Sequence, residues 1–173
     1  MPKLRRSRAY RRIERPYTRI SKFKKKSFIR MRPPRKITRF QMGEGKYDYE
    51  LDMISKASVQ IRQEAIESAR QTTLRWLEKN LAKAGFYFRI RKYPHHILRE
   101  NPLASGAGAD RVSTGMKQSF GKPIGVALQL KEGQKLFTVF VNEEGINDAR
   151  KALKRATKKM PIGFWIQVHK KAK

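Results

Sequence analysis

A glycine-rich stretch at residues 103–122 contains the residue types that most resemble a phosphate cradle. Four glycines punctuate it: Gly106, Gly108, Gly115 and Gly121. The pattern G-x-x-x-x-G-K-[ST] needs four residues between its glycines, but six separate Gly108 from Gly115, and Met116 follows instead of lysine. The pattern G-x-G-x-x-G also fails, because Arg111 occupies its third glycine position. We therefore expect no nucleotide-binding enzyme loop here.

Other candidate chemistry is equally weak. His95 and His96 lack the third ligand that zinc requires, and no cysteine is present for a thiolate, a disulfide or a zinc ligand. Four acids lie close together and could form a metal or acid–base site, or a solvated strand face paired with basic side chains: Glu44, Asp48, Glu50 and Asp52. A G-x-S-x-G nucleophile motif is absent. We expect no enzyme, no cofactor and no metal.

The charge of the chain points to a polyanionic partner. Its 173 residues include 42 lysines and arginines against 14 acids, a formal net charge of +28. Nucleic acid supplies phosphates that neutralise such a charge. An anionic membrane is the alternative, but no apolar run is long enough to span a bilayer. We expect no membrane association and an intracellular protein.

Residues 1–40 contain 17 of the basic residues and a single acid, Glu14. Prolines interrupt this segment, which predicts an extended arm that cannot fold alone. Its aromatic residues suit stacking on RNA or docking onto the domain, and Phe28 and Phe40 are the expected core anchors. Predicted rRNA-binding residues of the arm are Arg5, Arg6, Arg8, Arg11, Arg12, Lys22, Lys24, Lys25, Lys26, Arg30, Arg32, Arg35 and Arg39. Those of the rest of the chain are Arg89, Arg91, Lys92, Arg99 and Lys122.

Residues 41–173 are predicted to form one α+β domain, with two helices packed on a mostly antiparallel sheet. Alternating residues predict strands at 46–54 and 86–92, and apolar spacing predicts a helix from an N-cap at Ser58 to Ala84, with Gly85 at the C′ position. Residues 124–131 and 135–141 predict a hairpin. A second helix stopped by Pro161 and a last strand at 164–168 follow. Residues 103–122 are the long loop of this domain.

The loop motifs are the most specific feature of the sequence. AGADR at 107–111, TGM at 114–116 and FGKP at 120–123 occur in this order, after FRIR at 88–91. These motifs resemble the universal large-subunit ribosomal protein sixteen family, in the branch that archaea and eukaryotes share. Matches include Pro94, His96, Arg99, Asn101, Gly125 and residues 152–161. Lys117 stands where many members have arginine. The sequence has neither the cysteines nor the C-terminal extension of eukaryotic members, and it therefore resembles archaeal-type members (L-ten-e).

The resemblance implies an α/β-hammerhead fold and a structural, rRNA-binding constituent of the large ribosomal subunit, cytoplasmic and ribosome-bound. Its implied partners are large-subunit rRNA near 5S rRNA, neighbouring ribosomal proteins and the tRNA acceptor end, with no homo-oligomer. The loop would project toward the peptidyl-transferase centre. The tRNA-proximal residues carried over are Gly106, Ala107, Gly108, Ala109, Asp110, Arg111, Thr114, Gly115, Met116 and Lys117. A free-standing RNA chaperone or nucleoid protein, and an RNA-modifying enzyme, are the alternatives.

Overall fold

The computed structural model of the chain describes residues 4–19, 29, 32–82, 84–101, 106–108, 115 and 121–170. Strands and helices alternate irregularly along it. The strands are β1 Gln41–Met42, β2 Tyr49–Ser55, β3 Val59–Arg62, β4 Phe86–Ile90, β5 His96–Glu100, β6 Lys122–Leu130, β7 Lys135–Val141 and β8 Phe164–Lys170. The α-helices are α1 Gln63–Leu81 and α2 Ile146–Thr157, and short 3-10 helices cover Ser7–Tyr10 and Glu143–Gly145.

The strands form two antiparallel sheets. One has five strands in the order β1-β4-β7-β2-β8, and the other has three strands in the order β3-β6-β5. All the strand pairings among the described residues are antiparallel. The predicted α+β class is confirmed, with the strands divided between two sheets where one sheet was expected.

The main core lies between the helices and one face of the five-stranded sheet. Leu51 and Met53 of β2, Phe88 of β4 and Val139 of β7 are fully buried there. Alternate residues of each strand point toward this face, so one side of the sheet supplies the apolar surface that the helices cover. Helix α2 contributes its own buried stripe, which ends in Leu153 and Ala156.

The first helix begins later than the sequence predicts. Residues 59–62 form β3, which pairs with β6, and α1 starts at Gln63. Val59 and Ile61 alternate with polar residues and are β-branched, which favours a strand over a helix start. The predicted N-cap role of Ser58 is therefore wrong. The Ser58 hydroxyl instead accepts a hydrogen bond from the backbone N–H of Glu132 at 3.2 Å.

The end of this helix also differs from the prediction. Helix α1 ends at Leu81. The residue that follows the helix with a positive φ, of 56°, is Ala82, and Gly85 does not have the predicted C′ role. Gly85 is required for another reason: a Cβ at this position would lie 2.0 Å from the carbonyl oxygen of Leu81. The glycine thus permits a close approach of the chain to the helix end.

The hairpin predicted at residues 124–141 is wrong. Strand β6 pairs with β3 and β5, whereas β7 pairs with β2 and β4, so the turn between them carries the chain from one sheet to the other. The turn is held by a hydrogen bond from the Gly133 N–H to the Ser55 carbonyl, at 2.9 Å. Both strands are buried along most of their length, so the sequence of apolar and polar residues in them does not show which strands they pair with.

The acidic face of β2 is not the solvated surface that its alternation favours. Asp52 has no exposed surface and forms an ion pair with Lys135. Glu50 lies 2.8 Å from the guanidinium of Arg91. The alternative interpretation, that these acids pair with nearby basic side chains, describes both residues. Glu50 and Asp52 therefore form ion pairs that link β2 to the residue after β4 and to the first residue of β7.

Candidate nucleic-acid interface

Residues 4–19, called here the N-terminal segment, lie along the edges of the three-stranded sheet. Strand β3 donates the Gln60 N–H to the Arg11 carbonyl at 2.9 Å, and β5 donates the Ile97 N–H to the Tyr17 carbonyl at 3.1 Å. The Gln60 side-chain amide adds a hydrogen bond to the Tyr10 carbonyl at 2.9 Å. Both strands are edges of their sheet, so the segment satisfies backbone donors that would otherwise stay open.

Glu100 fixes the start of this segment. Its carboxylate lies 2.8 Å from the guanidinium of Arg5 and accepts a hydrogen bond from the Tyr10 hydroxyl at 3.2 Å. Glu100 is only 7% exposed, so the two contacts lie at the edge of the protein interior. Burial, followed by the charge of Glu100, raises the pKa of Tyr10 and keeps its hydroxyl protonated.

The exposed arginines of the anchored segment include Arg6, Arg8, Arg11 and Arg12. Within the described residues, none of their side chains takes part in an ion pair or a hydrogen bond. The backbone of this segment is held on the sheet and these charges face solvent, so the segment presents several cations on an anchored backbone. Such a group of cations suits the phosphates of a nucleic acid.

A second basic group is ordered by aromatic stacking. The guanidinium carbon of Arg99 lies 3.9 Å from the centre of the Tyr17 ring. His96 accepts a hydrogen bond at Nδ1 from the Tyr17 N–H at 2.8 Å. Burial, with a smaller contribution from the charge of Arg99, lowers the pKa of His96 to about 4. His96 is therefore neutral at physiological pH and has a structural role in holding the N-terminal segment.

Tyr93, which is half-buried, is the centre of a stack whose exposed member is His95. Its ring lies 5.2 Å from that of Phe40 and 4.7 Å from that of His95, between centroids, and the Arg35 guanidinium lies 5.7 Å from it. Two clefts share Tyr93 and His95. One, of about 340 Å³, is also lined by Arg32 and Arg35. The other, of about 380 Å³, is lined by Ile13, Arg91, Lys92 and Lys131. Rings flanked by cations can contact both the base and the phosphate of a nucleotide.

Arg89 and Arg91, the two rRNA-binding arginines predicted within the strand at 86–92, have different surroundings. Arg89 is exposed and has no ion pair with any described residue. The guanidinium of Arg91 donates to Thr138 at 2.9 Å and to Glu50 at 2.8 Å. Arg91 thus neutralises an internal acid. Arg89 remains available to a phosphate.

The glycine-rich loop joins β5 to β6, which are neighbouring strands with Glu100 opposite Lys122. Gly106, Gly108 and Gly115 are exposed, each has positive φ, and a Cβ built on any of them meets no atom of a described residue within 4 Å. Their backbone is accessible to a large partner. Lys122 is exposed at the base of the loop.

Several predicted site residues lie outside the described residues. In the arm these are Lys22, Lys24, Lys25, Lys26 and Arg30; in the loop they are Ala109, Asp110, Arg111, Thr114, Met116 and Lys117. Among the predicted residues, Arg5 forms an ion pair with Glu100 at the base of the loop, where Arg99 and Lys122 belong to the paired strands β5 and β6. Arg32, Arg35 and Lys92 line the clefts beside Tyr93. Arg39 is exposed and lies four residues after Arg35 in the chain.

Two residues that order this surface were missed by sequence analysis. Tyr93 was not singled out, although it is an aromatic residue in a run of basic and histidine residues. Glu100 is the single acid between Glu78 and Asp110, and that isolation was a signal for a specific salt bridge. Within the described part of the chain, no three histidine or acidic side chains converge to hold a metal, and no helix there is long and apolar enough to cross a membrane.

Comparisons with known proteins agree with the geometry. The model of the family "Ribosomal protein L16p/L10e" matches residues 16–167. The chain is 43% identical over 168 residues to large ribosomal subunit protein uL16 of Nanoarchaeum equitans, covering 93% of this chain and 90% of the relative. It is 41% identical over 172 residues to the uL16 protein of Methanococcus aeolicus, covering 98% and 96%.

A third uL16 protein, from Methanococcus maripaludis, is 41% identical over 170 residues and covers 96% of this chain and 95% of the relative. All three relatives are archaeal, which confirms the predicted archaeal type. All three are named as proteins of the large ribosomal subunit, and the prediction of a ribosomal structural protein rather than an enzyme is confirmed. The chain belongs to the ribosomal protein L16p/L10e family.

Proposed function

We propose that this chain is a structural constituent of the large ribosomal subunit and that it binds rRNA through its N-terminal segment and the surface around Tyr93. The observation that carries the proposal is the anchored backbone of residues 4–19, with Arg6, Arg8, Arg11 and Arg12 exposed along it. The relatives are named as proteins of the large subunit, which supports the assignment to that particle.

The mechanism of binding is neutralisation of phosphates. Each phosphate contact releases condensed counterions, so the logarithm of the binding constant falls by roughly 0.7 to 0.9 per contact for each decade of salt concentration. Since the guanidinium groups are attached to an ordered backbone, less conformational entropy is lost on binding than for a free arm. Aromatic contacts at Tyr93 add stacking to this electrostatic attraction.

The glycine-rich loop has a separate part in the proposal. We infer that it projects toward the peptidyl-transferase centre and the acceptor end of tRNA, with Arg111 and Lys117 near phosphates. The open surroundings of Gly106, Gly108 and Gly115 support a close approach of RNA to the loop backbone. The antiparallel strands β5 and β6 hold its base in place.

Salt-resistant co-sedimentation with large subunits tests the main proposal. The full chain should stay with the particle in high salt, whereas a free-standing RNA chaperone would wash off. Replacing Arg6, Arg8, Arg11 and Arg12 with glutamine should lower incorporation, because four phosphate contacts are lost. A matched control replaces four basic residues near helix α2 with glutamine: Arg150, Lys151, Lys154 and Lys158. Equal incorporation of both variants would contradict the assigned surface.

A loop replacement tests the inferred role beside tRNA. A short Gly-Ser linker in place of residues 107–117 should leave the fold intact, because β5 and β6 pair without the loop. Large subunits that carry this variant should synthesise peptide more slowly. Peptide synthesis at the unaltered rate would refute the functional role of the loop, and the proposed rRNA binding would still stand. Deleting residues 1–26 should instead weaken assembly into the subunit.

A further inference from the structure

The five-stranded sheet has a second face, directed away from the helices, which we call the outer face. A cross-strand row on it runs through Gln167, Asp52, Thr138, Arg89 and Gln41. The next row runs through His169, Glu50, Phe140 and Tyr87. Gln167, His169, Arg89 and Gln41 are exposed, so the two ends of this face are open to solvent, whereas Asp52 and Thr138 at the centre of the first row are buried.

Two aromatic side chains stand on this open face. Trp165 is 47% exposed, in a protein whose other exposed large apolar residue among those described is Ile13. Tyr87 is partly exposed, and its ring stacks on that of Phe140 with centroids 5.4 Å apart. By strand spacing, Trp165 lies about 16 Å from Phe140 and about 20 Å from Tyr87, which is the reach of about three nucleotides.

Cations flank both aromatic groups. The Lys56 amine lies 5.7 Å from the centre of the Trp165 ring. Arg89 follows Tyr87 by two residues and is exposed, and the side chain of Lys135 is 43% exposed. A cation beside an exposed ring can hold a phosphate while a base stacks on the ring.

The acids of this face do not cancel its positive charge. The Asp52 side chain is fully buried and paired with Lys135, and the Glu50 side chain, 18% exposed, is paired with Arg91. Their charges are therefore compensated by Lys135 and Arg91, and an approaching phosphate meets mainly Arg89 and Lys56. A protein partner on the same face would need acids to match these cations, whereas a polynucleotide brings phosphates and ring faces together.

We propose that the outer face is a second RNA-binding surface, which takes a short single-stranded segment with bases stacked on Trp165 and Tyr87 and phosphates held by Lys56 and Arg89. The inference rests on the proposed function, because the natural ligand would be unpaired rRNA nucleotides. It adds a separate surface, because the outer face belongs to the five-stranded sheet and the N-terminal segment lies on the three-stranded sheet.

Tryptophan fluorescence tests this surface independently of the basic arm. The chain has two tryptophans, and Trp76 is shielded by the Arg155 guanidinium 3.6 Å from its ring centre. In a Trp76→Phe variant of the full chain, emission reports on Trp165 alone. A short oligouridylate should quench this emission with saturation, and an abasic ribose-phosphate oligomer of equal length should not.

Single substitutions then locate the contact. Tyr87→Leu and Arg89→Gln should each raise the midpoint of the quenching about fivefold or more. Arg150→Gln, which removes an exposed cation from helix α2, is the matched control and should change the midpoint less than twofold. Unaltered circular dichroism shows that each variant is folded, and either of the two outer-face variants suffices for the test.

The outcomes separate the two proposals. If the chain binds rRNA on a filter but oligouridylate does not quench Trp165, the outer-face inference is overturned and the proposed function stands. Equal quenching by the abasic oligomer would overturn base stacking on this face. If the chain binds no RNA at all, both proposals fail.

Discussion

The guanidinium of Arg5 lies 2.8 Å from the carboxylate of Glu100, and this ion pair joins the start of the N-terminal segment to the base of the glycine-rich loop. Glu100 is the last residue of β5 and stands opposite Lys122, the first residue of β6. The same carboxylate accepts the Tyr10 hydroxyl. One acid thus orders two parts of the chain that we assign to RNA.

Glu100→Gln should release the N-terminal segment without unfolding the domain. The change removes an ion pair and weakens the Tyr10 hydrogen bond, which together contribute about 1 kcal/mol, since Arg5 is half exposed. Limited trypsin cleavage after Arg6 and Arg8 should accelerate about fivefold. Glu132→Gln, in the exposed turn before β7, is the control and should leave cleavage unchanged. Equal cleavage in both variants would show that Glu100 does not anchor the segment.

His96 should make the protein less stable as the pH falls from about 6.5 to about 4. Its pKa is about 4 in the folded protein against 6.5 ordinarily, so the unfolded chain binds more protons in this interval. The lost stability is at most about 3 kcal/mol, and it returns above pH 6.5. Urea unfolding at several pH values measures it.

His96→Asn should flatten that pH dependence, because the amide oxygen can still accept the Tyr17 N–H but does not titrate. His95→Asn is the control, since His95 is exposed and the variant retains His96. If His95→Asn flattened the profile and His96→Asn did not, the assignment would be wrong.

Gly43→Ala should destabilise the fold by about 3 kcal/mol or more. Gly43 has φ of +82°, and a Cβ there would lie 2.1 Å from the carbonyl oxygen of Phe86. Both backbone strain and a steric clash with β4 oppose the change. Gly133→Ala, at a φ of +75° with no atom within 4 Å, isolates the strain and should cost about 1 kcal/mol. Similar midpoints in thermal unfolding for the two variants would contradict the close approach.

Asp52→Asn should cost about 2 kcal/mol of unfolding free energy. The Asp52 carboxylate accepts a hydrogen bond from Thr138 at 2.6 Å and neutralises Lys135, and the variant keeps the first contact only weakly and loses the second. Asp48→Asn is the matched control on an exposed neighbour and should change stability by less than about 0.5 kcal/mol. If Asp52→Asn left the free energy of urea unfolding unchanged, the pair of Asp52 and Lys135 would not stabilise the fold.

The sequence predicted the elements whose pattern has one clear period. Phe86, Phe88 and Ile90 alternate with exposed or half-exposed residues and are buried as expected, and the stripe of α1 through Ile66, Ala69 and Leu77 faces the core. The family was recognised from motifs in the loop, because ordered triplets and quartets of residues are far more specific than composition.

The errors came from places where local pattern and tertiary partner differ. Ile61 fits both a helical stripe and a strand, and only pairing of β3 with β6 decides between them. The turn at Gly133 resembles that of a hairpin, yet its N–H is bonded to Ser55 of another strand. The acids of β2 looked solvated because Lys135 and Arg91, which neutralise them, are distant in sequence. Long-range contacts of this kind leave no local signal.

A density map of the large ribosomal subunit containing this chain tests the central claim most directly. The account predicts that the guanidinium groups of Arg6, Arg8, Arg11 and Arg12 lie within hydrogen-bond distance of rRNA phosphates, and that the loop bearing Gly106 and Gly115 points toward the tRNA acceptor end. A map in which the N-terminal segment faces solvent and makes no rRNA contact would contradict it.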